Sequence, residues 1–353
     1  MLLGATTPGI KILRIHHGLA VHALADERVW ASRGGRLYTR ARLGGPWQLQ
    51  DRLPEPAWQR LVGRSALLGQ TLRLGVHGVV PLGDRAQLIV ATGQLWRVQD
   101  GRWHPALRFD FRKPARLGVL RAASGQVFCA EYTLNPRRDR PIRLWRSDDD
   151  AHSFQLVFSF AAGHVRHIHF IQQDPVDGAL WLGTGDRDAE SALWRSIDAG
   201  ATWQLIGSGD QRWRAIGVAF LPDAVVWGTD AGSDAGRFAN VALRWDRQTR
   251  VLTTLGALQG PVHGVTALPD GAVLLATGCE GGVNERDRRV HLWLRRPGAD
   301  LQEIASFAAG LQPKRAQYPV LHFAHGQDHS DRLWLVGRGL LAGAVVALEA
   351  QVR

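Results

Sequence analysis

The stretch Leu180-Trp181-Leu182-Gly183-Thr184 decides the fold, because an apolar run that ends in a small or polar residue recurs along the chain. The other copies begin at Val29, Leu88, Val127, Val225, Val273 and Leu333. Their spacing is roughly 40–60 residues, the range of four-stranded β-propeller blades. Seven copies therefore predict a seven-bladed β-propeller, with six or eight blades as the alternatives.

Shorter strand-like runs surround each copy. A segment such as His263-Gly-Val-Thr-Ala-Leu precedes the run, and segments such as Leu193-Trp-Arg-Ser and Trp203-Gln-Leu-Ile follow it. Gly, Pro and Asp punctuate these runs, which is typical of an all-β protein. Only residues 55–68 have a helical pattern. We therefore expect four antiparallel strands in each blade.

Seven blades occupy the whole chain of 353 residues, which predicts a single propeller domain over residues 1–353. The last blade has only about three strands near the C-terminus. The segment Ile10-Lys-Ile-Leu-Arg-Ile can supply the fourth strand, which would close the ring and remove its exposed edges. The expected blades span residues 16–53, 77–108, 116–160, 167–208, 214–257, 263–307, and 318–350 with 10–15.

The composition of the chain restricts its binding partners and its cellular compartment. The formal charge is +11, with 43 basic residues of which three are Lys, and the basic residues form no block. This charge suits an acidic partner such as an anionic polysaccharide, and no nucleic-acid module is present. An apolar run of about 18 residues and an export signal are both lacking, so we expect a soluble cytoplasmic protein that does not enter a membrane. Cys129 and Cys279 fall in non-neighbouring blades and are expected to be buried free thiols.

Two segments share a turn motif. Ser196-Ile-Asp-Ala-Gly-Ala-Thr-Trp203 matches the Asp-box pattern Ser-x-Asp-x-Gly-x-Thr-Trp, and Ser147-Asp-Asp-Asp-Ala-His-Ser-Phe154 is a degenerate copy. The chain resembles the BNR/Asp-box repeat propellers, the group that includes sialidases and many sugar-active proteins. The resemblance implies that these segments are structural hairpins between the third and fourth strands, on the face away from the active site. The sialidase catalytic motif is absent, so no sialidase catalytic residue is assigned.

Histidine recurs at one position of the repeat, which we predict to be the start of the innermost strand. It is found in five of the seven blades, and Leu117 and Ile216 take the position in the other two. A closed propeller would aim these side chains at its axis, and imidazole is the commonest protein ligand of transition metals. We predict one divalent cation (Mn, Zn or Ni) bound by four of them from consecutive blades, namely His17, His77, His263 and His322. The alternatives are metal-free contacts to substrate and a passive polar lining.

Further polar residues are expected on the same face, where the second strands end and the longer loops emerge. His169 or Tyr132 is predicted to transfer a proton, and Arg166 and Arg214 are predicted to hold a substrate carboxylate. The predicted substrate contacts are Glu131, Asp186, Asp230, Glu280, Tyr318 and Arg338.

These residue types suit the lysis of an acidic, uronate-containing saccharide. A cation or Arg would neutralise the uronate carboxylate, and a His, Tyr or Arg would remove the proton at C5. The His-lined axis is similar in architecture to the oligogalacturonate lyases, propellers that hold a metal with histidines near the axis, and the resemblance implies a metal-assisted lyase. Two alternatives are hydrolysis by a pair among Glu131, Asp186, Asp230 and Glu280, and a non-catalytic sugar-binding or assembly propeller.

Overall fold

The computed structural model describes residues 4–353 except 26, 64, 66–67, 70–71, 73, 84–85, 112, 312–317 and 327–331. In this part of the chain seven β-sheets follow one another as blades around an axis, which confirms the predicted all-β propeller. The described helical segments are α1 (Ala57–Val62), inside the predicted helical stretch, and two 3₁₀ turns at Asp188–Glu190 and Gln211–Trp213. None of the described helices has the length and apolar character needed to cross a membrane.

The strands are numbered in chain order, and two precede the first blade: β1 (Ala5–Thr6) and β2 (Ile10–His17). Blade 1 contains β3 (Ala20–Ala25), β4 (Arg28–Arg33), β5 (Arg36–Ala41) and β6 (Gln48–Arg52), and blade 2 contains β7 (Val76–Pro81), β8 (Ala86–Ala91), β9 (Gln94–Gln99) and β10 (Arg102–Arg108). Blade 3 contains β11 (Val119–Arg121), β12 (Val127–Ala130), β13 (Ile142–Ser147) and β14 (Gln155–Phe160), and blade 4 contains β15 (His167–Gln173), β16 (Leu180–Gly185), β17 (Ala192–Ser196) and β18 (Gln204–Ser208). Blade 5 contains β19 (Ala219–Phe220), β20 (Ala224–Gly228), β21 (Val241–Asp246) and β22 (Leu252–Ala257), and blade 6 contains β23 (Val262–Ala267), β24 (Val273–Thr277), β25 (Arg289–Arg295) and β26 (Leu301–Ala308). Blade 7 contains β27 (Val320–Phe323), β28 (Arg332–Leu340) and β29 (Gly343–Val352), and β2 is its fourth strand.

The second strand of a blade is covered on both faces by neighbouring blades. Every residue of β12, β16, β20 and β24 is buried, which explains why these segments are continuous apolar runs. Trp181 and Trp227 lie on such strands and are fully buried. Full burial of a large apolar side chain contributes about 1.5–3 kcal/mol. Both cysteines are buried and free, as predicted.

Strand β2 closes the ring, as predicted. It pairs antiparallel with β29, with Ile10 opposite Val352 and His17 opposite Val346. An ion pair also joins blades 1 and 7, because Arg40 Nη2 lies 3.0 Å from Glu349 Oε2 and both side chains are buried. The Arg40 guanidinium lies 4.9 Å from the ring centre of Trp334. The short strand β1 pairs with β26 and gives blade 6 a fifth strand, which the sequence did not predict.

The Asp-box segment of blade 4 forms the expected turn between β17 and β18. Ser196 Oγ donates to Asp198 Oδ1 at 2.8 Å and accepts from Gly200 N at 3.0 Å, and Asp198 Oδ1 accepts from Thr202 N at 2.9 Å. Gly200 has a φ of +82°, a conformation that favours glycine. The register of blade 4 places Ser196 at the end of the sheet opposite to His167.

The degenerate copy in blade 3 forms the same turn. Ser147 Oγ donates to Asp149 Oδ1 at 2.7 Å and accepts from Ala151 N at 2.9 Å, and Asp149 Oδ1 accepts from Ser153 N at 2.9 Å. Ala151 has a φ of 63° where the blade 4 copy has glycine. The hydrogen bonds of Ser147 and Asp149 are therefore sufficient to hold an alanine in the left-handed region.

Candidate functional site

A cavity of about 1080 Å³ lies on the axis, at the end of the blades where the innermost strands start. All of the predicted site residues line it except Glu131. The Glu131 carboxylate instead accepts from the backbone N of Arg143 at 2.9 Å, inside blade 3. The residues predicted from sequence, apart from Glu131, thus lie around one cavity at one end of the blades. What each of them can do depends on its contacts.

In four blades the innermost strand contains a β-bulge, and the bulged residue is a histidine. Bulges re-aim side chains and are frequent beside functional sites. Each of these rings places Nε2 next to a polar side chain at or just beyond the end of the second strand of its own blade. The pairs are His22–Ser32 at 2.8 Å, His77–Thr92 at 3.0 Å, His169–Asp186 at 3.2 Å and His263–Glu280 at 2.7 Å.

The predicted position of His17 is wrong. His17 is the last residue of β2, in the closing strand of blade 7, and its side chain is exposed. The chain turns at Gly18, which has a φ of 69°, so the innermost strand of blade 1 starts only at Ala20 and His22 takes the repeated position. His322 lies on β27 in regular pairing with Val336 and without a bulge.

The four predicted metal ligands are not brought together. Among the described residues, ligand atoms from three His, Cys, Asp or Glu side chains lie within 4.8 Å of one another in one place, formed by His167, His169 and Asp186. This group belongs entirely to blade 4, where the two histidines lie on β15 and the aspartate follows β16. We refer to it as the blade 4 cluster.

Both imidazoles of the blade 4 cluster are oriented by backbone carbonyls. His167 Nδ1 donates to Thr133 O at 3.0 Å, and His169 Nδ1 donates to Ala215 O at 3.1 Å. A carbonyl only accepts, so in each neutral ring the proton is on Nδ1 and Nε2 carries a lone pair. The two Nε2 atoms lie 2.9 Å apart.

A third acceptor points at the same place. Asp186 Oδ1 lies 3.2 Å from Nε2 of His169 and 3.4 Å from Nε2 of His167. Two lone pairs and a carboxylate repel one another unless a cation lies between them. Burial lowers the pKa of His169, which disfavours an additional proton on this ring. The arrangement therefore fits a metal ion, with each histidine held through its other nitrogen as is usual for metal ligands.

The Asp186 carboxylate is divided between two tasks. Its Oδ2 accepts from Arg166 Nη1 at 2.5 Å, which leaves Oδ1 directed at the two imidazoles. Burial alone would raise the pKa of Asp186, but positive charge beside Oδ1, supplied by a second proton on either imidazole or by a cation in its place, outweighs burial and holds this pKa well below its usual range. Asp186 is therefore ionised throughout the physiological range.

Three aspartate carboxylates surround the Arg214 guanidinium. It lies 3.4 Å from Asp186, 3.5 Å from Asp230 and 3.1 Å from Asp234, and it is 6% exposed. Arg166 is likewise engaged with Asp186. The two residues predicted to hold a substrate carboxylate thus already have counter-charges within the protein.

Tyr132 lies beside the blade 4 cluster and reaches solvent. Its ring stacks on His167 with centroids 4.1 Å apart, and the residue is 37% exposed. Burial and the nearby carboxylates, Asp186 first among them, raise the pKa of Tyr132, so the phenol keeps its proton. His169, predicted as an alternative proton carrier, is 2% exposed with both ring nitrogens engaged.

Two other carboxyl groups in the cavity have pKa values displaced in opposite directions. Burial raises the pKa of Asp230 to about 7, against the opposing charge of Arg214. The pKa of Glu280 is lowered, because the charge of His263 at 2.7 Å outweighs the effect of burial. Asp230 is therefore the carboxyl group of the cavity that can exchange a proton near neutrality.

Sequence reasoning assigned no role to His167 and missed His22. The segment Arg166-His167-Ile-His169 was visible as two histidines two residues apart, a spacing that places both on one face of a regular strand. The available signal for His22 was Gly18, since glycine at positive φ commonly interrupts a strand.

Fold and cavity together define a seven-bladed β-propeller with a polar pocket on its axis. The sequence matches no protein-family model and no curated protein. Solved structures of similar shape include an oligogalacturonate lyase from Vibrio parahaemolyticus, with a TM-score of 0.60 at 12% identity over 99% of this chain and 98% of that one.

Two further solved structures share the fold. An oligogalacturonate lyase in complex with manganese gives a TM-score of 0.59 at 12% identity, over 99% of this chain and 95% of that one. An ancestral GH74 enzyme gives 0.56 at 12% identity over 96% of this chain, which spans only 44% of the length of that enzyme. At these identities the similarity establishes the fold and nothing finer.

Proposed function

We propose that this propeller cleaves an acidic, uronate-containing saccharide by β-elimination, with a divalent cation bound by His167, His169 and Asp186. The observation that carries the proposal is the convergence of two imidazole Nε2 atoms and one carboxylate oxygen on one point of the cavity wall. This assignment replaces the predicted set of His17, His77, His263 and His322, which do not converge.

The donor set suits a transition metal. Two imidazole nitrogens and one carboxylate oxygen accept Mn²⁺, Zn²⁺ or Ni²⁺. When bound, such a cation supplies positive charge that neutralises a uronate carboxylate and acidifies the proton at C5. Arg166 is a positioning residue, because its contact with Oδ2 of Asp186 keeps Oδ1 directed at the two histidines.

The chain itself offers a proton acceptor and a proton donor. The Asp230 carboxylate would take the C5 proton, and the C5–H electron pair would form the C4–C5 double bond as the C4–O4 bond breaks. The Tyr132 phenol, which keeps its proton at neutral pH, would protonate the departing O4 oxygen. Both groups line the cavity with the blade 4 cluster.

The comparisons lend this proposal general support. Two solved oligogalacturonate lyases share the fold over nearly their full length, and one of them is a manganese complex. The manganese belongs to that lyase, and a site for such an ion is consistent with the two imidazoles and one carboxylate of the blade 4 cluster.

A second candidate is glycoside hydrolysis by Asp230 and Glu280. The observation that favours it is the opposite displacement of their two pKa values, the pattern of a general acid beside an ionised carboxylate. Hydrolysis would release reducing ends without producing an unsaturated uronate.

The test combines metal analysis with product analysis. Purified protein should contain about one divalent ion per chain, and His169→Ala should lose it, because a structural or catalytic site needs its full ligand set. The matched control is His77→Ala, a bulged histidine bonded to Thr92, which should keep the metal. Retention of metal by His169→Ala with loss in His77→Ala would assign the metal to the set predicted from sequence.

Products of oligogalacturonate and of other uronate oligosaccharides distinguish the reactions. Ultraviolet absorbance of an unsaturated uronate is expected and would establish elimination. Reducing ends without that absorbance would favour the hydrolase. Saturable binding without turnover, with every oligosaccharide offered, would leave a non-catalytic sugar-binding propeller and refute both enzymes.

A further inference from the structure

Arg116 spans the propeller axis. It precedes β11 in blade 3, yet its Nη2 donates to His263 O at 3.0 Å and its Nη1 to Phe323 O at 3.3 Å, on the innermost strands of blades 6 and 7. Its own carbonyl accepts from Nε2 of His325 at 3.1 Å. The guanidinium is therefore fixed against the opposite wall of the cavity with donors left over.

Arg338 lines the same part of the cavity. It lies on β28 opposite Val320 in blade 7, and it is close enough to Arg116 that, after burial, its charge lowers the pKa of Arg116 to about 10. Within the described ranges no carboxylate forms an ion pair with Arg116 or Arg338. Arg166 and Arg214 differ in this respect, because both lie against Asp186.

The neighbouring histidines add no positive charge to that of the two arginines. Burial and the charge of Arg338 lower the pKa of His22 to about 3, and burial and the charge of Arg116 lower the pKa of His325 to about 4. Burial and both guanidinium groups lower the pKa of His322 well below its usual value. All three rings are neutral at pH 7, so they contribute hydrogen bonds without further charge.

Arg116 and Arg338 place two positive charges without a carboxylate partner in a partly desolvated cavity. A bound anion would compensate these charges. Arginine binds carboxylates through parallel N–H donors, which favours a planar anion over a neutral hydroxyl group. Blade 7 lies across the axis from blade 4, so this part of the wall faces the blade 4 cluster.

We propose that Arg116 and Arg338 form a subsite for the carboxylate of an acidic sugar, on the wall opposite His167, His169 and Asp186. The identity of the ligand as a uronate rests on the proposed function, whereas carboxylate binding does not require turnover. A sugar held here would extend across the cavity, with its neighbouring residue at the blade 4 cluster.

The test is calorimetric titration of the full chain with D-galacturonate in the presence of EDTA, which removes any contribution from a bound metal. D-galactose is the matched neutral sugar, and acetate and inorganic phosphate are the anions without a sugar. Galacturonate should bind at least about tenfold more tightly than each of the three, since a hydrogen bond to a charged group changes affinity by about tenfold to a hundredfold.

Arg338→Gln should weaken galacturonate binding by about tenfold to a hundredfold. The matched control is Arg212→Gln, which removes an exposed guanidinium paired with Asp210 and should leave the affinity unchanged. Arg116→Gln should also weaken binding, and if that variant does not fold, Arg338→Gln decides alone. An unchanged affinity of Arg338→Gln, or equal binding of galactose, acetate or phosphate, overturns the proposal.

A further variant separates this subsite from the proposed reaction. His167→Ala removes a proposed metal ligand but leaves both arginines, so in EDTA, where no metal is bound, it should bind galacturonate like the parent. Binding by the parent in EDTA, together with no bound metal and no turnover when the EDTA-free protein is offered Mn²⁺, would support the subsite and refute the metal-dependent lyase.

Discussion

Arg166 and Asp186 form a 2.5 Å contact that uses only one oxygen of the carboxylate, and the other oxygen faces two imidazoles. Asp186 therefore contacts the Arg166 guanidinium with one oxygen and the Nε2 atoms of His167 and His169 with the other. Its negative charge serves both neighbours, so removing it should lower the stability of the fold and, on the proposed function, the affinity for a cation.

Asp186→Asn should lower the free energy of unfolding by about 3 kcal/mol at pH 7, because Arg214 remains buried with less counter-charge. The folded pKa of Asp186 is depressed, so its contribution is present above the unfolded pKa of about 3.9 and is lost as the pH falls below it. Urea denaturation at pH 7 and pH 3 measures both effects, and the difference between parent and variant should shrink at pH 3. Asp210→Asn, which removes the partner of exposed Arg212, should cost less than about 1 kcal/mol. Equal losses in both variants would contradict the role of Asp186.

Asp230 should contribute to the pH dependence of stability in the opposite sense to Asp186, so that its contribution is lost as the pH rises, and Asp230→Asn tests this. Burial raises the folded pKa of Asp230 from 3.8 to about 7, so its protonated form favours the fold and this contribution is lost as the pH rises from about 4 to about 7. The variant cannot ionise and should lose less stability than the parent across that window. Thermal denaturation from pH 4 to pH 8 makes the comparison, with Asp270→Asn at an exposed ion pair as the control. Parallel curves for the parent and Asp230→Asn would show that this carboxyl group titrates normally.

Glu349→Ala should destabilise the ring closure by about 3–5 kcal/mol, because it leaves the Arg40 guanidinium buried and unpaired. Asp223→Ala removes the exposed partner of Arg244 and should cost less than about 1 kcal/mol. Chemical denaturation of the two variants beside the parent measures the difference. A loss below 1 kcal/mol for Glu349→Ala would mean that the pairing of β2 with β29 closes the ring without help from this ion pair.

Gly200→Ala should destabilise the chain by about 1 kcal/mol, because it places a side chain at a φ of +82° in the blade 4 turn. Ala151→Gly at the equivalent position of blade 3 should be nearly neutral. Relief of the left-handed backbone gains about 1 kcal/mol, while loss of a fully buried methyl group costs about 0.8 kcal/mol. Melting temperatures of both variants test this asymmetry, and a stabilised Gly200→Ala would be inconsistent with the turn geometry.

The fold could be predicted because the recurring apolar run is imposed by burial on both faces. Each copy, such as Leu180–Thr184, occupies the second strand of a blade, where both faces contact neighbouring blades. The two-residue strand β1 has no such pattern, since a short edge segment buries too little to constrain its sequence.

The site was harder to predict than the fold. The repeat position predicted that Asp186, Tyr132 and His169 lie at the same end of the blades, and all three line the axial cavity there. The convergence of His167 with His169 depends on the carbonyl oxygens of Thr133 and Ala215, which belong to segments more than 30 residues away in the chain. A β-bulge likewise leaves no periodic signal, which is why His17 was preferred to His22.

The span of Arg116 from blade 3 to blades 6 and 7 interrupts the axis, so the cavity is a pocket with its mouth on the face of the blade 4 cluster. A polymer cannot thread through such a pocket as it would through a pore. On the proposed function, a saccharide would reach the cluster by its end or as a short oligomer, and the product would leave by the route through which the substrate entered. A lyase of the proposed kind would therefore shorten chains from their termini, so the viscosity of a long polysaccharide would fall slowly while small products accumulate.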